Sequence, residues 1–300
     1  MLHALANFVL RRRTVAAWAI DYDQIIAARP LGAKTLQNRR KNVAHLQASL
    51  GGRLLRDVRP LDVSRVVRQL WDAGLHFTAR RVLIEARDMF NEAVLAGELD
   101  ANPAAAIRSL SAPVQRSRLS LEHWQQIHAW VAQHGRPWFA YALRLALVCG
   151  QRRADLVAMS TDDVWDEHLH VVQQKTGARI ALPLALHLDA LGVTLGQVIA
   201  EAQDYRAPGS MLLRQRANKP FGTAALSASF ARARDAVFSR ETWGDRTPPT
   251  FHEIRSLSER LYRAQGIDTK TLLGHKRQSM TDAYNDDRGL SRGAWKTLVI

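Results

Sequence analysis

Three hundred residues, 47% hydrophobic and 23% charged, suffice for one large or two modest domains with real cores, and this is not the composition of a disordered chain. The formal net charge of +14 repels itself in the free protein and attracts polyanions, nucleic acid first among them. A single cysteine, Cys149, excludes an intrachain disulfide and a thiolate cluster for zinc, and in the apolar run LRLALVCG it reads as a small core residue.

The N-terminal MLHALANFVLRRR (1–13) reads as a short helix followed by a basic tether. Its positive charge follows the apolar stretch, the wrong order for a secretory leader, and no run approaches 18 apolar residues. The expectation is a cytoplasmic protein that does not enter a membrane. Helices are predicted at about 14–29, 34–50, 61–73 and 78–97, punctuated by Pro30, Gly32, Gly51, Gly52, Pro60 and Gly74. In the last of them Val82, Met89, Phe90, Ala93 and Val94 recur at helical intervals. These elements form a helical unit over 14–108, whose helices end near Asn102 and Pro103. The stretch SLSAPVQRSRL (109–119) is small and polar and reads as a linker; its Arg116 and Arg118 suit a chain running along a phosphate backbone, or equally a solvated connector.

A second domain is expected over 120–300. Ser120 caps a helix with Glu122 in its first turn, and another helix runs from Pro137 to Cys149, with Gly150 just past its end. Two strand candidates, 168–174 and 178–184, flank a turn of Lys175, Thr176 and Gly177, a hairpin signal. Helices resume at 185–191, 194–203, 223–238 and 251–264. The fold class is mainly α with a small antiparallel β-sheet (α+β).

Chemistry concentrates in residues 248–289, where His252, Arg255, His275 and Tyr284 fall within 33 positions. His252 and Arg255, three apart on a probable helix, share a face, and Pro248 and Pro249 fix how the chain enters that helix. Gly274 lets the backbone turn at His275, and the polar segment around Tyr284 argues against deep burial. Taken singly, each has a bland reading: a surface tyrosine, a hydrogen-bonded core histidine, a surface ion pair worth about 0–1 kcal/mol. Together a phenol, two imidazoles and a guanidinium suit the breaking and remaking of a DNA phosphodiester through a phosphotyrosine. No carboxylate cluster suits two-metal phosphoryl transfer: Asp162 and Asp163 are expected to point apart, and Asp286 and Asp287 to form a solvated turn. No cofactor or metal is expected.

Four segments in this order, CGQRRADLVAMSTDDV, LHVVQQKTGARIALPLALHLDALG, PPTFHEIRSLSERLY and LLGHKRQSMTDAYNDDRG, resemble the tyrosine recombinase (phage integrase) family. The resemblance spans about Thr14 to Ile300. It implies a catalytic set of Arg152, Lys175, His252, Arg255, His275 and the nucleophile Tyr284, braced by Asp155, with Arg153 a neighbour that does not substitute for Arg152. The chemistry agrees with these roles. Attack on phosphorus builds negative charge on nonbridging oxygens, which the planar forks of Arg152 and Arg255 suit. A phenol is mostly protonated at neutral pH and needs a base, for which His252 is the best placed. Lys175, on a flexible hairpin, is placed to protonate the departing 5′ oxygen, and His275 to donate a hydrogen bond to the phosphate.

The resemblance further implies a core-type DNA-binding domain and a catalytic domain forming a C-shaped clamp on duplex DNA. Positions expected to approach DNA are Lys34, Asn38, Arg39 and Arg40 on helix 34–50, and Thr78, Arg80 and Arg81 at the start of the next basic helix, with Arg116 and Arg118 on the linker. Expected partners are double-stranded attachment sites, a homotetramer on DNA, accessory DNA-bending proteins and an excisionase. The apolar tail within 290–300 is expected to pack on a neighbouring protomer, and the separate arm-binding domain that some relatives carry is expected to be either absent or truncated, with 1–13 resembling its final helix and tether. The function implied is site-specific recombination that integrates or excises a phage or mobile element. The alternatives are a catalytically silent DNA-binding regulator and a type IB topoisomerase-like enzyme.

Overall fold

A computed structural model describes residues 13–111, 114–202, 210–214 and 222–284, so the expectations for the N-terminal helix and the 290–300 tail lie outside the described residues. Backbone contacts divide the chain into two units between Val114 and Gln115.

The first unit packs four helices, α1 (Val15–Ala27), α2 (Ala33–Leu50), α3 (Pro60–Asp72) and α4 (His76–Leu95). Thr14 caps α1 by accepting the Ala17 N–H at 3.2 Å, and Pro60 opens α3, where its missing N–H costs nothing. Trp18 and Tyr22 of α1, Leu46 of α2, Val63 of α3 and Met89 and Phe90 of α4 share one buried core. The Trp18 indole N–H reaches the Met89 carbonyl at 3.0 Å, so the polar edge of this large side chain is satisfied inside. On α4, Glu85, Asp88 and Glu92 fall on one face and gather Arg29 and Arg39 around the Tyr22 hydroxyl.

The second unit begins with α5 (Leu121–His134) and α6 (Pro137–Cys149). Ser120 caps α5 through the His123 N–H at 3.0 Å. α6 is buried nearly all round, the pattern of a central helix, and its Cys149 is fully buried, with the thiol pushed up to about 12 by that burial. Gly150 follows with φ of 64°, a left-handed turn that suits glycine, and leads through Gln151 and Arg152 into the short α7 (Arg153–Ala158). Next come β1 (Val164–Trp165), β2 (His168–Val172) and β3 (Arg179–Pro183), an antiparallel sheet in that order with Val171 opposite Ile180. Alternate residues Leu169, Val171, Ile180 and Leu182 face the core.

Residues 185–191, expected to be helical, instead hold β4 (His187–Leu188), which pairs with β5 (Val193–Thr194). Gly192 at φ of 62° closes a tight turn back onto Leu188, which pairs the two short strands. The remaining elements are α8 (Leu195–Ala200), α9 (Thr223–Val237), α10 (Glu253–Ala264), α11 (Thr269–Leu272) and α12 (Gln278–Asp282). Asp162 and Asp163 lie in a single 3-10 turn, where Asp163 accepts the Ser160 N–H at 2.8 Å.

Candidate active site

Five of the six residues assigned to catalysis, Arg152, Lys175, His252, His275 and Tyr284, line one cleft of about 680 Å³ in the second unit, together with Arg116. No carboxylate lines it among the described residues, while Arg116, Arg152, Lys175 and Arg234 do. This wall suits a polyanion. Among the described residues, no group of three or more His, Cys, Asp or Glu is arranged to hold a metal ion, and no helix is long and apolar enough to cross a membrane.

The sixth residue, Arg255, lies behind the cleft at 2% exposure. The left-handed turn at Gly150 aims its carbonyl at Arg255 Nη1, 2.7 Å away, and Leu273 offers its carbonyl to Nη2 at 2.6 Å. Burial and the neighbouring Arg152 push Arg255 down to about 10, so it stays charged at neutral pH. Its Nη2 also lies 3.3 Å from His275 Nε2. A guanidinium only donates, so His275 Nε2 accepts and the ring proton sits on Nδ1, facing the Thr281 hydroxyl at 3.0 Å. Gly274, at φ of 61°, makes the turn that brings His275 there.

Both histidines are held neutral. Burial first, then Arg255 and Arg152, lower His275 to about 4. Burial, then Arg255, Arg116, Arg152 and Lys175, lower His252 to about 4 as well. His252 is exposed to the open cleft, so solvent tempers the burial contribution and the surrounding cations carry the direction. His252 precedes the first turn of α10, which separates it from Arg255 on the buried side. A neutral imidazole beside a phenol is equipped to accept a proton.

Tyr284 is half-buried, its ring 5.6 Å from that of His275 and 6.2 Å from that of His252. Its backbone is tied down on both sides: Arg118 donates to the Ala283 carbonyl at 2.6 Å and the Ser256 hydroxyl to the Tyr284 carbonyl at 3.2 Å. Lys175 is exposed at the hairpin turn. Asp155, 2% exposed in the first turn of α7, accepts the Gln174 N–H at 2.9 Å and so holds the residue before Lys175.

The positions assigned to DNA contact divide. Lys34, Arg80 and Arg81 are exposed and Asn38 and Thr78 half-buried, with Lys34 donating to Gln37 at 2.7 Å. Arg40 is exposed but paired with Asp23 through two bonds of 2.6 and 2.9 Å. Arg39 is redirected inward to Glu85 and Asp88, because α4 presents two carboxylates where its guanidinium falls. Arg118 is a buried strut at 3% exposure, bonded to Glu253 at 3.0 Å, and not a linker contact. Arg116 stays at the cleft, 4.0 Å from Glu253. Sequence reasoning missed Glu253, Thr281, Gln151 and Gln173. The polar residues Gln151 and Gln173 are buried, and a glutamine beside an arginine or in a strand carries no signal of that.

A model described as the phage integrase family matches residues 118–289. The prophage integrase IntE of Escherichia coli (strain K12) is 38% identical over 288 residues, covering 92% of this chain and 76% of that protein. A crystal structure of a lambda integrase fragment, a dimer bound to a COC′ core site, is 34% identical with a TM-score of 0.87 and covers 96% of this chain and 99% of that one. A lambda integrase tetramer bound to a Holliday junction is 32% identical with a TM-score of 0.87, covering 98% of this chain and 83% of that one. With its cleft, its motif order and these likenesses in agreement, the chain belongs to the phage integrase family of tyrosine recombinases.

Proposed function

We propose that this protein cuts and rejoins DNA at specific attachment sites through a 3′-phosphotyrosine, as the integrase of a phage or other mobile element. The observation that carries the reading is the convergence of Tyr284, two neutral imidazoles and a wall of cations on one cleft that no carboxylate lines among the described residues. The Tyr284 oxygen attacks phosphorus as its proton passes to His252. The P–O5′ bond breaks, and Lys175 gives a proton to the departing 5′ oxygen. Arg152 and Arg255 hold the nonbridging oxygens, where charge develops. His275 Nε2 accepts from Arg255 in the described geometry; to donate to a nonbridging oxygen the ring takes its other tautomer, with the proton on Nε2 and Nδ1 accepting from the Thr281 hydroxyl, as Arg255 turns to the phosphate. Rejoining is the reverse: a 5′-hydroxyl of another strand attacks the phosphotyrosine, the new P–O5′ bond forms and tyrosine leaves. Bond energy is conserved, so no nucleotide cofactor is consumed.

Lys34, Asn38, Arg80 and Arg81 are the proposed phosphate and groove contacts of the first unit, and Arg116 that of the cleft. Lambda integrase is seen as a tetramer on a Holliday junction, and four copies of this chain would act in the same way on two sites in the cytoplasm of a bacterial host. The test is a duplex carrying the attachment junction, found by sequencing the ends of the element, with a nick beside the cleavage position so that the cut is trapped. The wild-type protein forms a covalent adduct on it. Tyr284→Phe binds with unchanged affinity and forms none. Tight binding without an adduct would instead identify a regulator, and relaxation of supercoiled DNA of arbitrary sequence a topoisomerase.

A further inference from the structure

One fully buried amide takes no part in the reaction as set out above. Gln173 follows β2, immediately before the turn that carries Lys175, at 0% exposure. All four of its hydrogen-bonding directions are filled. Its Oε1 accepts from Arg152 Nη1 at 2.6 Å and from the Thr176 hydroxyl at 2.8 Å. Its Nε2 donates to Gln151 Oε1 at 2.9 Å and to the Leu273 carbonyl at 3.0 Å. This orientation is forced. Arg152 is purely a donor and the Leu273 carbonyl purely an acceptor, so the reversed amide would face each with its own kind. Gln151 is anchored in turn, donating to the Cys149 and Leu272 carbonyls at 3.0 and 2.8 Å.

The two arginines of the site are held differently. Arg255 is buried, with both Nη groups on backbone carbonyls. Arg152 stands half-buried on the cleft wall, and among the described residues Gln173 is the one hydrogen-bond partner of its guanidinium. An arginine side chain carries about 2 kcal/mol of rotamer entropy, so a partly solvated one without an anchor presents its fork to phosphate only part of the time. We propose that Gln173 is the positioning residue for Arg152, its amide oxygen fixing the guanidinium so that the remaining N–H groups face the scissile phosphate. The inference rests on the reading that Arg152 binds a nonbridging oxygen.

The experiment compares single-turnover adduct formation by wild type and Gln173→Met, which keeps length and volume but loses both polar ends. Two nicked attachment-site duplexes are used, one with the natural scissile phosphodiester and one with a methylphosphonate there, whose methyl group removes a charged nonbridging oxygen. On the phosphodiester, Gln173→Met slows adduct formation by about 10²-fold, the scale of a misplaced catalytic group, while affinity for uncut DNA is unchanged. On the methylphosphonate the ratio of wild-type to variant rates collapses to within about threefold, since the charge Arg152 answers is gone. Equal slowing on both duplexes overturns the proposal and leaves Gln173 a purely structural residue. So does slowing that persists on the methylphosphonate but vanishes on a 5′-phosphorothiolate, whose leaving group needs no proton; that result would route the effect through Thr176 to Lys175. If Gln173→Met fails to melt cooperatively, Gln173→Glu is used with the opposite expectation: it keeps the acceptor facing Arg152 and loses both donors, so adduct formation on the phosphodiester stays within about threefold of wild type, and slowing by about 10²-fold there overturns the proposal. A wild-type protein that forms no Tyr284-dependent adduct on either duplex would sink the reading of the site itself, a result distinct from those above.

Discussion

At the scale of single residues, burial decides what a charge does. Arg118 and Arg39 looked like phosphate contacts in the sequence, yet each is spent on internal carboxylates. A buried charge must be paired, and Glu253, 2% exposed beside His252, has Arg118 at 3.0 Å and Arg116 only at 4.0 Å. Replacing Arg118 by Met should therefore destabilise the protein by about 3–5 kcal/mol, because it leaves Glu253 buried without its main partner. Pairing it with Glu253→Leu should recover most of the loss, since no charge is then stranded. Denaturant midpoints of the two variants check this, and a cost below about 1 kcal/mol for Arg118→Met would show that the strut carries little. Arg118 also holds the Ala283 carbonyl, so both variants should cleave DNA more slowly even where the double variant is stable. The residues proposed for catalysis were legible because each is a reactive type inside a spaced motif. Gln173 was not, because a glutamine becomes informative only through what it touches, and its four partners are scattered between Gln151 and Leu273.

At the scale of elements, most helices could be read from apolar periodicity and their caps, as with Ser120 before α5 and Gly150 after α6. The stretch 185–191 misled because Leu184, Leu188 and Leu191 fall at helical spacing while Leu184, Leu186 and Leu188 alternate as in a strand, and Gly192 decided between them. Within the site, turns rather than helices do the aiming. The turn at Gly274 presents His275 and brings the chain against β3 and Gln173. A Cβ there would stand 2.7 Å from Ile180 Cδ1 and 3.0 Å from Gln173 Nε2, on a backbone at φ of 61°. Gly274→Ala should thus cost about 1–2 kcal/mol from the left-handed backbone alone, with added strain against Gln173. Its signature is a loss of adduct formation larger than any loss of DNA affinity, because the disturbed atoms hold Arg152 and His275 and not the outer phosphate contacts. Equal losses in both assays would place the damage in general unfolding. Thermal melts run alongside would show it.

At the scale of the whole molecule, a formal charge of +14 sets the attraction for DNA, but only cations that face solvent exchange counterions with phosphates. Lys34, Arg80 and Arg81 are exposed, whereas Arg39 and Arg118 are not. The two groups look alike in composition and should separate in the salt dependence of binding. Each cation that neutralises one phosphate adds about 0.9 to the slope of log affinity against log salt concentration. Single alanine substitutions at Lys34, Arg80 and Arg81 should each lower that slope by roughly this amount on specific and nonspecific duplexes alike, because phosphate contacts carry no sequence information. Arg39→Met should leave the slope unchanged while lowering stability, since its guanidinium already answers Glu85 and Asp88. Binding isotherms over a range of salt concentration measure both quantities on the same proteins. A slope that falls with Arg39→Met by as much as with Lys34→Ala would mean that Arg39 leaves its carboxylates for the DNA, and the internal pairing would then describe only the unbound helical unit.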